Sequence, residues 1–175
     1  MKLKKRYVWL LGVIVLLVAG IFYLRLYYRA FAFSSSAMSP TIKKGSVVLV
    51  DMKAYKSKSP ELFDMVFCNV SSPVDFKTIS RVVGLPKDQI NYSCGRLIVN
   101  GWQLASPPNL SLKWKEPPVK SQVHISTPYP VPSDSYFLVE DADGSIDGRY
   151  FIDSRYFGAV PKKEIIGKVV YIFPK

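Results

Sequence analysis

The sequence predicts one membrane-spanning helix followed by a mainly β domain, and three observations carry that prediction. An uncharged apolar run stands near the N-terminus, short β-branched and aromatic runs fill the rest, and glycine- and proline-containing turn signals separate them. A length of 175 residues leaves room for one domain plus an accessory segment. With 49% apolar and 14% aromatic residues, the chain can bury a core and is not a disordered tail. The 24 Lys and Arg against 13 Asp and Glu give a net charge of +11. Six of those basic residues and no acidic one lie in residues 1–29, around the apolar run, leaving only +5 for the remainder. The charge therefore speaks for a membrane flank, not for DNA or RNA, and no nucleic-acid module is recognisable.

The first element is the helix. Tyr7 to Leu24 are 18 consecutive residues without a charge, which as a helix span roughly 27 Å, near the hydrocarbon thickness of a bilayer. Tyr7, Trp9, Tyr23, Tyr27 and Tyr28 sit at its two ends, where amphipathic rings prefer the headgroup layer. A cleaved signal peptide is the competing reading, with Ala30-Phe31-Ala32 as a small-x-small pattern. The run is longer than the usual signal-peptide core, however, and Arg29 with several aromatics crowds that site, so an uncleaved anchor is expected. Lys2, Lys4, Lys5 and Arg6 before the helix outnumber Arg25 and Arg29 after it. The excess predicts a cytoplasmic N-terminus (1–6), a transmembrane anchor (7–28) and an extracytoplasmic domain (29–175) in a single-pass cell-membrane protein.

Strands are expected at 47–50, 65–70, 78–83, 96–99, 136–139 and 165–173. Lys44-Gly45, Asn100-Gly101 and Asp143-Gly144 read as turns, and the stretch 107–132 is too rich in proline for a central strand. An antiparallel β domain with a long irregular connection follows. His124 alternates with Val123 and Ile125, so it reads as a strand position. A lone histidine assembles neither a metal site nor a Ser-His-Asp triad, and no cofactor is expected. Cys68 and Cys94 lie 26 residues apart, a spacing that leaves a disulfide and two free thiols equally open.

Five segments then occur in order: Ser35-Ser36-Ala37-Met38-Ser39-Pro40-Thr41-Ile42; Phe63-Asp64-Met65-Val66-Phe67; Ile79-Ser80-Arg81-Val82-Val83-Gly84-Leu85-Pro86-Lys87-Asp88; Leu97-Ile98-Val99-Asn100-Gly101; and Asp153-Ser154-Arg155-Tyr156-Phe157-Gly158 with Ile165-Ile166-Gly167-Lys168. They resemble S-x-S-M-x-P-T-L, G-D-[IV]-V-x-F, K-R-V-[IV]-G-L-P-G-D, L-[YI]-[IV]-N-G and D-S-R-Y-x-G … I-x-G-K. Those are the motifs of the type I signal peptidases, membrane-anchored serine proteases that remove signal peptides. The resemblance runs over residues 1–175 and implies that family's two-sheet β fold.

The departures bear on chemistry. In the family a serine hydroxyl attacks the peptide carbonyl and a lysine amine takes its proton. By the resemblance, Ala37 occupies the nucleophile position and Ser80 the general-base position. A methyl group has no lone pair to donate, and a hydroxyl without an adjacent low-pKa amine has no base. On an extended chain Ser36 points to the opposite face from residue 37, while Ser39 shares its face further along. Lys77, three positions before Ser80, points away from it. Phe151 stands where the family has a lysine-bonding serine, and Phe63 where the second motif opens on glycine.

Ser35 and Met38 match the oxyanion and substrate-cleft positions, the residue-37 amide being the companion donor. Arg81, Asp153 and Arg155 match scaffold positions, the last two expected on one face of a strand.

Three functions stay open at this point. The leading expectation is a non-catalytic signal-peptidase-like protein, not an enzyme, that binds extended secreted polypeptide by strand addition. By resemblance to accessory proteins of Gram-positive pilus clusters, it would be a chaperone for pilin subunits working beside sortase. The alternatives are a type I signal peptidase with an engineered Ser-to-Ala change or a rewired dyad, and an inert tethered scaffold.

Overall fold

The computed structural model describes residues 5–71, 75–107, 110, 112, 114, 125–142 and 152–175. Helix α1 (Lys5–Tyr27) holds the apolar span, 21 residues of mean hydropathy 2.5 with none of it buried against protein. It is long and apolar enough to cross a membrane. The helix stops one residue short of the expected boundary because Tyr28 opens a strand. That strand, β1 (Tyr28–Ala32), pairs antiparallel with β2 (Val47–Asp51), Tyr28 facing Asp51. The Tyr27 carbonyl accepts the Met52 N–H at 2.7 Å, and the Lys53 ammonium lies 3.7 Å from the Tyr27 ring centre. The anchor therefore enters the sheet without a linker.

The remaining elements are β3 (Met65–Val70), β4 (Phe76–Gly84), β5 (Gln89–Ser93), β6 (Arg96–Val99), β7 (Trp102–Gln103), β8 (Tyr129–Pro130), β9 (Ser135–Val139), α2 (Ser154–Phe157), β10 (Val160–Pro161) and, after a 3-10 turn, β11 (Ile165–Phe173). They form a seven-stranded sheet in the order β1-β2-β11-β3-β4-β9-β10 and a four-stranded sheet in the order β7-β6-β5-β8. Every pairing among the described residues is antiparallel. The predicted mainly β, two-sheet fold is present, with β3, β6 and β11 at their expected bounds. β1 and β5 were not foreseen. In β5 only Ile90 is buried, too little apolar character to announce a strand.

Two-residue loops with positive φ close the small sheet's hairpins, Cys94-Gly95 (50°, 70°) and Asn100-Gly101 (52°, 84°). Both are the primed-turn geometry that follows the strands' right-handed twist. Cys68 is buried and Cys94 exposed, and both thiols are free. Burial in an apolar surround pushes the Cys68 thiol up to about 12.

Alternation along β4 divides the core. Ile79 and, across the strand pair, Phe67 join Val48, Val50, Met38 and Ile42 on one side. Val82, Val66 and Leu138 pack on the other, with Tyr136 and Ile165. Val83, Phe137 and Val139 meet Ile90, Leu97 and Val131 of the small-sheet region in a third cluster. β11 bulges on both sides of its crossing between β2 and β3. Gly167 lies within that crossing, where a Cβ would sit 2.5 Å from the Asp51 carbonyl oxygen. Backbone cannot yield as a side chain would. Gly167→Ala should therefore lower stability by about 1–3 kcal/mol, read as a shift of the denaturant midpoint. An unchanged midpoint would show that the two strands are not held this close.

Candidate functional site

The segment expected to run extended through residues 36–39 is instead a turn. Ser39 N–H donates to the Ser36 carbonyl at 2.9 Å and Ile42 N–H to the Met38 carbonyl at 2.8 Å. The proline and the need to bury Met38 and Ile42, both fully inaccessible, fold the chain back on itself. The expected pattern of faces for Ser36 and Ser39 accordingly does not apply. Ala37 is buried, and its N–H donates to the Ser35 hydroxyl at 3.1 Å. The two groups matched to an oxyanion site are thus bonded to each other. The Ala37 carbonyl accepts the Ala142 N–H at 2.9 Å, which fastens the turn beyond the end of β9.

A buried ionic knot holds the same turn from the side. Arg81 donates through Nε to Asp141 Oδ1 at 2.8 Å and through Nη1 to the Phe63 carbonyl at 2.9 Å. Its Nη2 reaches Thr41 Oγ1 at 3.3 Å, and the Thr41 hydroxyl donates to Asp141. Arg81 is 4% exposed and the Asp141 side chain fully buried. One guanidinium thereby joins β4, the approach to β3, the 35–42 turn and the end of β9. Thr41 was expected to fix the turn, whereas Asp141 escaped the sequence reading because its partner lies far away along the chain and no periodicity marks it.

Ser80 pairs across β4 with Val66 of β3, on the side that carries Val82 and Leu138. Ala37 is buried in the cluster that also holds Met38, Ile42, Phe67 and Ile79. Arg81 faces Val139 in the β4–β9 register, and Glu140 follows directly where β9 ends. Glu140 is buried and its N–H donates to Asp153 Oδ2 at 2.9 Å. Burial, then the Asp153 charge, pushes its carboxyl up to about 8, with Arg155 opposing the rise. Nothing in the sequence announced a buried carboxyl there.

Asp153 and Arg155 do pair, Nη2 to Oδ2 at 2.6 Å and both buried, but not on a strand as expected. Asp153 caps α2, its carboxylate accepting the Arg155 N–H at 2.9 Å. An N-cap aspartate satisfies the first free amides of a helix, which is why the chain turns there. The short helix ends on Gly158 at φ 87°. Burial works against the Arg155 charge, and Asp153, with Tyr92 and Glu140, more than restores it. Phe151, His124 and the Asp143-Gly144 turn lie outside the described residues.

Two positions that the motifs write as glycine hold side chains here and keep glycine's conformation: Phe63 at φ 70° and Lys87 at φ 73°. A bulky L-residue in that region is strained. At Phe63 the strain sits beside the knot, since its carbonyl accepts from Arg81 and its ring stacks on Trp114 with centroids 6.2 Å apart.

Asp141→Asn leaves a buried guanidinium without its counter-charge and should cost about 3–5 kcal/mol in denaturant unfolding. A loss below about 1 kcal/mol would mean that the knot is not what fixes the turn. Glu140 sets a pH dependence. Its folded-state carboxyl titrates near 8, above the ordinary 4.5, so its stabilising contribution is full below about 4.5 and lost as pH rises through 8. Stability should fall across that window in the parent and fall less in Glu140→Gln; identical pH profiles would contradict a buried, protonated Glu140.

Comparison with known proteins bears on this geometry. Residues 4–174 match the family described as signal peptidase, peptidase S26. The chain is similar to signal peptidase I V of Bacillus subtilis, with 30% identity over 95% of this chain and 98% of that one. It is also similar to a probable signal peptidase I-2 of Synechocystis, 29% identical over 79% of this chain and 60% of the relative. A solved signal peptidase I from Enterococcus faecalis shares 24% identity, with a TM-score of 0.48 over 65% of this chain and 98% of that chain. That structural likeness adds nothing to what the sequence matches carry. The expectation that the chain is no enzyme is overturned, because relatives matching nearly its whole length are named as peptidases. On the match over residues 4–174, this chain belongs to the signal peptidase, peptidase S26, family.

Proposed function

We propose that this chain works as a membrane-anchored signal peptidase I-type protein that receives an extended segment of a secreted polypeptide outside the membrane. The observation that supports it is the stretch Ser34–Ser36. Ser34 and Ser35 are exposed, and among the described residues no main-chain N–H of Ser34, Ser35 or Ser36 has a partner. Free backbone next to a rigidly held turn is the edge onto which an extended peptide adds as a strand. The knot of Arg81, Asp141 and Thr41 keeps that edge in place. The outward orientation draws its support from the excess of Lys and Arg before the apolar span that starts at Tyr7.

The serine–lysine route cannot run through residues 37 and 80, which are Ala and Ser. Cleavage by this chain draws on a differently arranged site, with the exposed Ser35 hydroxyl, held by the Ala37 amide, as an oxygen-binding group. Part of the same proposal is a partner of pilin-subunit type, handled beside a sortase. Its support is the resemblance of the changes at 37 and 80 to pilus-cluster accessory proteins.

The test uses the full chain in lipid nanodiscs and a fluorescent precursor peptide carrying an Ala-x-Ala segment, with binding and cleavage measured separately. Saturable binding is expected, weakened at least tenfold when the peptide's amides around Ala-x-Ala are N-methylated. Absence of binding, or indifference to N-methylation, would overturn the strand-addition reading. Ala37→Ser together with Ser80→Lys should raise the cleavage rate by at least about 100-fold, since nucleophile and base act as a unit. Equal rates with and without the two substitutions would place the reacting groups elsewhere.

A further inference from the structure

Where α1 passes into β1, helix and sheet line a groove of about 560 Å³. Ile21 and Leu24 of α1 form one apolar wall, and Phe31 of β1 with Leu49 of β2 forms the other. The sheet wall is braced: Phe31 stacks on Phe67 of the core with ring centroids 4.6 Å apart, and Leu49 pairs with Ala30. The helix wall is tied to the sheet by the Met52 N–H on the Tyr27 carbonyl. Ile21 and Leu24 lie near the C-terminal end of the apolar span Tyr7–Tyr27. With α1 in a bilayer, the groove therefore opens where hydrocarbon gives way to headgroups.

Two guanidinium groups, Arg25 and Arg29, line the same groove. Both are exposed, and among the described residues neither has an acidic partner. The neighbouring charges are engaged elsewhere: Lys53 sits over the Tyr27 ring, and Asp51 accepts the Lys53 N–H at 2.8 Å. A guanidinium offers a fork of donors that matches phosphate oxygens, and a headgroup with net negative charge answers two of them better than a zwitterionic one. We propose that this groove binds one anionic glycerophospholipid of the surrounding bilayer. Its phosphate sits on Arg25 and Arg29, and the upper part of an acyl chain lies against Ile21, Leu24, Phe31 and Leu49. The volume is that of a small-ligand site, roughly 300–1,000 Å³, which takes a headgroup and the start of a chain while the rest stays in the bilayer. The proposal rests on α1 spanning the membrane and not on the main chain of Ser34–Ser36 receiving a peptide, so either can fail without the other.

The test places the full chain in phosphatidylcholine nanodiscs with a trace of phospholipid that carries a diazirine in its upper acyl chain. The probe is either phosphatidylglycerol or phosphatidylcholine, and labelled peptides are quantified by mass spectrometry after illumination. The phosphatidylglycerol probe should label β1 and β2 about tenfold more than the phosphatidylcholine probe, the preference expected of two arginines at a membrane surface. Excess unlabelled phosphatidylglycerol should suppress that labelling in a saturable manner, and inorganic phosphate should not. Arg25→Gln combined with Arg29→Gln should bring phosphatidylglycerol labelling of both strands down to the phosphatidylcholine level. Equal labelling by the two probes, labelling that phosphatidylglycerol does not compete, equal competition by inorganic phosphate, or an unchanged signal in the double variant would overturn the proposal. Circular dichroism, with labelling of α1 by the phosphatidylcholine probe, shows that the variant is folded and inserted; the probe comparison and the competition use the parent chain alone.

Discussion

A guanidinium buried to 4% exposure is the constraint on which the candidate site depends. Removing such a cation from water is worthwhile only when its hydrogen bonds and its charge are answered together. Asp141 answers the charge, while the Phe63 carbonyl and the Thr41 hydroxyl answer remaining donors. The answering groups come from different parts of the chain, so satisfying Arg81 fixes the place of each. The 35–42 turn shares no strand pairing with β4 among the described residues. Its position beside β9 follows from this knot and from the Ala142 amide on the Ala37 carbonyl.

The two faces of β4 then do different work. Arg81 bonds Thr41 of the turn and Asp141, while Ser80, the neighbouring position, pairs with Val66 on the face that carries Val82. The Glu140 carboxyl, which holds its proton up to about pH 8, is neutral at physiological pH, as its burial beside the Asp153 charge favours. The second buried pair, Asp153–Arg155, persists here although no lysine stands at position 80. Capping α2 gives it a structural role of its own.

Much of the fold was legible because strands covered on both faces leave short continuous β-branched and aromatic runs in the sequence. β3, with four of six residues buried, and β9, buried throughout, stood out as apolar runs. β5 did not, since one buried isoleucine leaves no pattern. Asp153–Arg155 was legible as a pair but not as a helix cap, because spacing by two fits both a strand face and a capped helix turn. The knot was only partly visible: Arg81 and Thr41 followed from the motifs, whereas Asp141 required three-dimensional proximity. Phe63 and Lys87 show the converse, a motif position whose left-handed backbone persists after the residue that favours it is gone. Ala37 and Ser80 do not decide whether the chain is an enzyme, since they are only two positions of a chain that matches a peptidase family over residues 4–174.

The central claim is that Ser34–Ser36 offer open main chain to an incoming strand while the turn behind them stays fixed. Amide hydrogen exchange on the full chain in nanodiscs, with and without a precursor peptide, addresses it residue by residue. Fast exchange at Ser34–Ser36 that slows when peptide is bound, with Ile42 and Val82 protected throughout, is the predicted result. Peptide binding that leaves the Ser34–Ser36 amides exchanging as before would contradict it.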